Sequence, residues 1–448
     1  MKAIVIGAGK VGFHIAERLS EENHDVVLID AREEALVPAQ ENLDVMTVAG
    51  NGASPKTLEQ AGVATADMVI AVTTHDESNI IACLTAKYYG VPTTVARVRN
   101  PDYTLPTKAL VQGMLGIDHI IHPERLAAAE IVKLLKTPSA GEVGFYADGK
   151  VQLLGIRCDT PGAECLHKPL HQLGLRHSLV VAVERDGDLL IPDGNTKLEL
   201  GDYFYVIGRS GNFERSTFLA GRIPSEIRSV TIVGGGETGL RICEILSGYQ
   251  HEGLSVKLIE QDPERARWLA EQLSSVLIIE GDGTDVGLLE SEQLGECDAL
   301  VAATGQEETN LLIAMVAKKL GVKEIIVELG REEYGTLADT IGVHATIIPR
   351  LLTASTILRL LQKDRLVDLA FLKQGMAEVM EVMVADDAPV IGRPLRNAGL
   401  PAKSLIGTII RGHEIIIPHG NSEIRPRDRV IAFCHVDSSS ALKKALGL

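Results

Sequence analysis

Gly7, Gly9 and Gly12 follow the apolar run Ala3 to Ile6, and the same spacing returns at Gly234, Gly236 and Gly239 after "VTIV". The chemistry of this spacing is anion binding rather than bond making. A strand that enters G-x-G-x-x-G turns sharply at the first glycine, lets its backbone approach a pyrophosphate at the second, and packs helix on strand at the third. Ala8, Lys10 and Val11 fill the first motif, and Gly235, Glu237 and Thr238 the second. Each motif opens a predicted helix whose N-terminal amides and positive dipole end face the phosphates. An acid closes the next predicted strand, Asp30 in one copy and Glu260 in the other, about 20 residues past the last glycine. Such a carboxylate accepts both ribose hydroxyls and repels a 2′-phosphate, which favours NAD over NADP.

Further positions follow because ligands of such folds sit at the carboxyl ends of the strands. The third strand ends in "AGNGAS", placing Asn51 and Gly52 near an adenine, with Asp282 and Gly283 as counterparts. The fourth ends in Thr73-Thr74, against Thr304-Gly305, near the second ribose. Arg97 closes the fifth strand, where a guanidinium can offer a fork of donors to a pyrophosphate. Its ungapped partner is Glu328, with Arg331 the nearest cation, so the second site diverges where a phosphate would want a partner.

Hydride transfer would need an acid–base group beside the nicotinamide. His75 is the nearest candidate; its counterpart is Gln306, and "HDESN" reads equally as a polar helix start. Cys158, Cys165, His167 and His171 fit no usual zinc spacing, and the second copy has Arg393 and Gly399 there. No catalytic or metal-ligating set is expected.

These residues belong to a long internal repeat. "IAVTTHDESNIIACLTAKYYGV" (70–91) matches "VAATGQEETNLLIAMVAKKLGV" (301–322) without a gap. "HKPLHQLGLR" (167–176) and "PDGNTKLELGDYFYVI" (192–207) return as "GRPLRNAGLP" (392–401) and "PHGNSEIRPRDRVIAF" (418–433). The expected fold class is α/β: two tandem Rossmann-type doubly wound lobes, each followed by a small α+β lobe rich in turns such as Asp186-Gly187 and Asp193-Gly194. The boundaries read as 1–122, 123–140 (a crossover helix) and 141–222, then 229–348, 349–368 (a second crossover helix) and 369–448. The join is "RIPSEIR" (222–228). Pro123 and Pro349 start the crossover helices, whose apolar stripes are Ala128, Ile131, Val132, Leu135 and Ala354, Ile357, Leu358, Leu361. Such stripes either pack on their own lobe or hold two lobes together.

With 448 residues and 45% apolar composition, the chain has the material for several buried cores. No apolar stretch reaches the length of a membrane span, and the first apolar run is too short for a signal peptide. Six scattered cysteines favour a reducing compartment, and a net charge of −16 weighs against a general nucleic-acid surface.

The opening "MKAIVIGAGKVG", the "AGNGAS", "ADMVIAVTTHDESN" and "ARVRNPDY" segments and the repeated layout resemble the TrkA-type regulatory subunits of bacterial Trk potassium-uptake systems. That resemblance covers essentially the whole chain and implies two RCK units, each an RCK-N Rossmann lobe followed by an RCK-C lobe. It implies NAD(H), and adenine nucleotides such as ATP and ADP, as ligands. It implies a potassium channel or transporter of the TrkH or TrkG type as partner at the cytoplasmic face of the membrane, gated by a tetramer of eight RCK units. Residues 7–11, Asp30, Thr73, Thr74 and Arg97 would hold the first nucleotide, and residues 234–238 with Glu260 the second. Arg350, Arg359, Lys363 and Arg365 are basic candidates for the membrane partner, or a solvated helix face. The competing readings are a soluble NAD-dependent oxidoreductase with tandem Rossmann lobes and a redox-sensing DNA regulator, which would need a DNA-reading helix and a cationic surface.

Overall fold

The computed structural model describes residues 1–21, 23–103, 116–138, 140–175, 177–221, 226–249, 253–360, 366–372 and 376–448. Leu361, Lys363, Arg365 and part of the 222–228 join fall outside them.

Six short aliphatic runs form the first sheet: β1 (Lys2–Ile6), β2 (Asp25–Asp30), β3 (Met46–Ala49), β4 (Met68–Ala71), β5 (Thr93–Arg97) and β6 (His119–Ile121). Strands this uniformly apolar suit a parallel sheet covered on both faces. The order is β3-β2-β1-β4-β5-β6, every pairing parallel, with Val5 between Leu28 and Ile70. Chain direction across the sheet reverses between β1 and β4, which opens a crevice at their carboxyl ends.

Residues 142–209 form a separate antiparallel sheet of β7 (Glu142–Tyr146), β8 (Val151–Arg157), β9 (Ser178–Arg185), β10 (Asp188–Leu190) and β11 (Tyr203–Arg209). Its order is β10-β9-β11-β8-β7. Asp186 and Gly187 both take positive φ, 53° and 87°, the two-residue turn whose twist matches a β-hairpin.

The second half repeats both sheets. β12 (Ser229–Val233), β13 (Ser255–Glu260), β14 (Leu277–Glu280), β15 (Ala299–Ala302), β16 (Glu324–Glu328) and β17 (Ala345–Ile347) pair in parallel in the order β14-β13-β12-β15-β16-β17. β18 (Leu366–Leu372), β19 (Ala377–Met383), β20 (Ser404–Arg411), β21 (Glu414–Ile416) and β22 (Arg429–His435) repeat the antiparallel sheet strand for strand.

One apolar core joins the two antiparallel sheets, with Tyr146, Val181 and Ile207 from the first and Val379, Ile431 and Phe433 from the second. Each sheet also holds a buried aspartate. Asp202 receives Nε and Nη2 of Arg185, both at 2.8 Å, and the N–H of Glu199. Asp428 receives the same two nitrogens of Arg411, at 2.9 and 2.7 Å, and the N–H of Arg425. A two-point grip on a carboxylate that is 1–2% exposed pins the long loop before β11 or β22 to the neighbouring strand.

The crossover helices do not stay with the lobes that precede them in sequence. Helix Pro349–Leu360 buries Thr353, Ala354, Ile357 and Leu358 and packs against helix Lys10–Glu21 and β6 of the first Rossmann lobe. It belongs to one compact unit with residues 1–127, while residues from Ala128 onward, including most of helix Pro123–Leu135, belong to the other. Just beyond that helix, the Lys136 ammonium lies 3.5 Å over the ring of Tyr249 in the second Rossmann lobe. Of the two readings of the stripes, the one that ties different lobes together describes Pro349–Leu360.

Removing a buried acceptor leaves the donors that faced it without a partner. Asp202→Ala removes the buried acceptor of Arg185 and of the Glu199 N–H and should therefore destabilise the protein by about 1–3 kcal/mol in urea unfolding; a loss below about 0.5 kcal/mol would contradict the buried-clasp reading.

Candidate functional site

Each Rossmann lobe brings its sequence-predicted residues to one crevice. Gly7 has φ +105° and Gly234 φ +110°, a backbone region that side chains rarely enter, so the chain can swing off β1 or β12. A Cβ on Gly12 would lie 1.8 Å from the carbonyl oxygen of Gly7, and one on Gly239 2.0 Å from that of Gly234. Helix Lys10–Glu21 and helix Glu237–Ser247 can start this close to their strands only because those positions lack side chains. Gly9 and Gly236 are different: a Cβ there would meet nothing within 4 Å. Their glycine leaves space facing the crevice, where a phosphate would approach.

The acids at the ends of β2 and β13 are part of the same loops. Asp30 Oδ2 accepts the N–H of Ala8 at 2.7 Å and Oδ1 that of Arg32 at 2.9 Å. Glu260 Oε2 accepts the N–H of Gly235 at 2.6 Å and Oε1 that of Asp262 at 2.8 Å. Each carboxylate thus stands beside its glycine loop with its charge at the predicted ribose position. Gly52 and Gly283 pack over the ends of β1 and β12, where a Cβ would strike Ile6 or Val233 at 2.1–2.2 Å. Asn51 Oδ1 caps the N–H of Ala53, and Asp282 Oδ1 takes both the N–H and hydroxyl of Thr284, which holds its carboxyl below the usual range.

At the β4 end, one residue that the sequence reading passed over organises the wall. Asn79, fully buried, accepts the N–H and hydroxyl of Thr73 at 2.9 and 2.7 Å and donates to the carbonyl of Arg97 at 2.8 Å. Asn310 does the same for Thr304 and Glu328, at 2.9, 2.7 and 2.8 Å. The signal was present as "ESN" and "ETN" in the ungapped repeat. Thr74 and Gly305 diverge, Gly305 alone taking a positive φ of 78°. His75 precedes helix Asp76–Tyr88 as its N-cap residue, which is the polar-start reading.

The guanidinium of Arg97 is buried, donates Nη1 to the Thr73 carbonyl at 3.1 Å, and has an Nε with no partner among the described residues. Burial, aided by the charge of Arg99, holds it below the usual arginine range. A desolvated, incompletely paired cation at the crevice wall suits an anion. In the second lobe Arg331 does not replace it, being tied to Glu307 and, at 2.6 Å, to Glu308.

The Cys158 and Cys165 thiols touch at 3.2 Å in a buried setting, while His171 turns Nδ1 to the Gly194 carbonyl at 2.7 Å. Among the described residues no group of three or more His, Cys, Asp or Glu is placed to hold a metal ion.

The comparisons agree with this architecture. Residues 3–123 and 230–349 match the TrkA-N domain, and residues 159–216 and 379–447 the TrkA-C domain. The fold is shared with the structures described as "GsuK Channel" (TM-score 0.60, 16% identity, 99% of this chain and 78% of that one) and "Crystal Structure of the GsuK RCK domain" (0.58, 16%, 99% and 94%). The chain is thus of the tandem RCK class, two Rossmann lobes each with its antiparallel companion. It is 34% identical over 452 residues to "Trk system potassium uptake protein TrkA homolog 1" of Methanosarcina mazei, covering 99% of both chains. It is 33% identical over 444 residues to "Trk system potassium uptake protein TrkA" of Vibrio alginolyticus, covering 97% of this chain and 95% of that one. The chain belongs to the TrkA family of Trk system potassium uptake proteins.

The two kinds of glycine separate experimentally. Gly12→Ala should cost about 3 kcal/mol or more, because its Cβ meets backbone. Gly9→Ala should leave the melting temperature nearly unchanged yet weaken NADH binding about tenfold, some 1.4 kcal/mol. Equal effects of both substitutions on stability would contradict the assigned roles.

Proposed function

We propose that this chain is the nucleotide-responsive regulatory subunit of a Trk-type potassium uptake system. NAD(H) in the first crevice, and an adenine nucleotide or dinucleotide in the second, bias the arrangement of RCK lobes. A homotetramer carrying eight such units transmits that bias to a membrane-embedded channel or transporter of the TrkH or TrkG type, from the cytoplasmic face. The bound nucleotide is not a reactant.

The observation that carries this reading is the pair of crevices, each with a glycine loop that turns at positive φ and is hydrogen-bonded to the carboxylate closing the next strand. At their β4 ends the polar groups serve the backbone: Thr73 and Thr304 are locked by Asn79 and Asn310, and His75 starts a helix. Family membership supports the potassium-uptake context, and a solved relative in fold is described as "GsuK channel bound to NAD". A ligand that prefers one arrangement about 100-fold shifts the equilibrium by about 2.7 kcal/mol per crevice. Several crevices in a ring add such increments. Among the described residues no helix is long and apolar enough to cross a membrane, so the pore is assigned to the partner. Arg350 and Arg359 lie on helix Pro349–Leu360 and are proposed to meet that partner.

Asp30→Ala should lower NADH affinity more than about tenfold, as expected for loss of a charged acceptor, with the circular dichroism of the protein retained. Unchanged affinity in a fluorescence titration would remove Asp30 from the site. Sustained consumption of NADH with a small carbonyl compound would favour the oxidoreductase reading instead.

A further inference from the structure

Among the described residues, one pair of thiols is in contact. Cys158 follows β8, Cys165 lies 7 residues further on, and their sulfurs are 3.2 Å apart with both side chains fully buried. The other four cysteines are buried singly. Burial pushes Cys83, Cys243 and Cys434 up to about 12, and Cys297 above the usual thiol range. Cys165 goes the other way. With Cys158 as donor, the thiol–thiol hydrogen bond holds Cys165 below the usual thiol range and pushes Cys158 above it.

The duplication shows that packing alone does not call for sulfur here. Cys158 donates its N–H to the carbonyl of Asp202 at 2.8 Å, as Val384 does to that of Asp428 at 2.9 Å. Cys165 precedes Leu166, which bridges to Leu198, as Val390 precedes Ile391, which bridges to Ile424. Val384 and Val390 are also buried. The same space is filled by two valines in one half and by two touching thiols in the other. A thiol packs as a small apolar group, so the exchange keeps the fold and adds a chemistry. The loop between the thiols also seats the end of the first half. Cys165 donates its N–H to the Leu219 carbonyl at 3.0 Å, and Glu164 receives both terminal nitrogens of Arg215 at 2.9 and 3.2 Å. A Cβ on Gly221 would lie 2.7 Å from Thr160. Helix Glu214–Leu219 thus rests on residues 160–165 just before the chain crosses to the second half.

We propose that Cys158 and Cys165 are a dithiol–disulfide site oxidised by hydrogen peroxide, and that the bond staples the loop beneath helix Glu214–Leu219. The Cys165 thiolate attacks a peroxide oxygen, forming an S–O bond as the O–O bond breaks. Cys165 becomes a sulfenic acid, and the hydroxide released takes up the thiol proton as water. The Cys158 sulfur then attacks the Cys165 sulfur, forming the S–S bond as the S–O bond breaks, and its proton leaves with that hydroxide as a second water. Two thiols and one peroxide give one disulfide and two waters. The sulfurs need to close by about 1 Å to reach the bond length of about 2.05 Å. In a reducing compartment such a bond is transient and sensing rather than structural.

The test is hydrogen peroxide on the reduced full-length protein, followed by alkylation in denaturant and mass spectrometry. Trypsin releases both cysteines in one peptide, residues 158–176, because the Lys168-Pro169 bond resists cleavage. This peptide should lose two hydrogens at least about ten times faster than any of the other four cysteines is modified, with full recovery under dithiothreitol. Hydrogen exchange in residues 214–221 should slow in the oxidised protein. Cys158→Val should leave Cys165 as a sulfenic acid that dimedone traps, and Cys165→Val should leave Cys158 a thiol. The second half already carries valine at both positions, so both variants should fold. A peptide still doubly alkylated after the other cysteines have reacted would overturn the proposal. So would oxidation of the pair only in urea, or linkage of either thiol to another cysteine. Unchanged exchange in residues 214–221 on oxidation would overturn the staple. None of these results bears on nucleotide binding, which the NADH titration reads separately.

Discussion

Helix Lys10–Glu21 carries two obligations. Its N-terminal turn stands over the crevice, pressed so close to β1 that Gly12 cannot accept a side chain. Its body packs against Pro349–Leu360, the crossover helix supplied by the far half of the chain. An anion bound at that N-terminus would act on a helix that already touches the segment leading into the last antiparallel sheet. The coupling proposed here needs no long relay of side chains, only this one rigid element with a ligand at one end and a movable neighbour along its side.

Duplication explains why the two lobes agree in so much and differ in so little. Each keeps a left-handed glycine, the acid-to-loop hydrogen bond and the buried asparagine that locks the β4 end. These features make the crevice. Where they diverge at the β5 end, the substitution exchanges charge, Arg97 in the first copy against Glu328 in the second. Scaffold features are held by sterics that a single Cβ would violate. Wall residues are free of that constraint.

The fold was legible because its signals are local and repeated. G-x-G-x-x-G, the closing acid and the unbroken aliphatic strands each point to the same doubly wound sheet, and the second copy checks the first. The site was legible where backbone geometry demands a residue type, as at Gly7 and Gly12. Asn79 was missed because an asparagine on a helix reads as a polar surface residue until its partners, Thr73 just past β4 and Arg97 at the end of β5, are placed. Arg185 and Asp202 were hidden for the same reason: nothing in "ERDGD" or "LGDY" says that the two side chains meet. Helix Pro349–Leu360 showed its apolar stripe plainly, but periodicity identifies a face and not the surface that covers it.

The central claim is that filling the first crevice changes how helix Pro349–Leu360 is held. Hydrogen exchange on the full-length protein, with and without saturating NADH, measures this directly. The account predicts altered protection in residues 10–21 and 349–360 together, absent in Asp30→Ala, with the cofactor recovered chemically unchanged. Protection confined to the glycine loop, with 349–360 exchanging identically in both states, would contradict it.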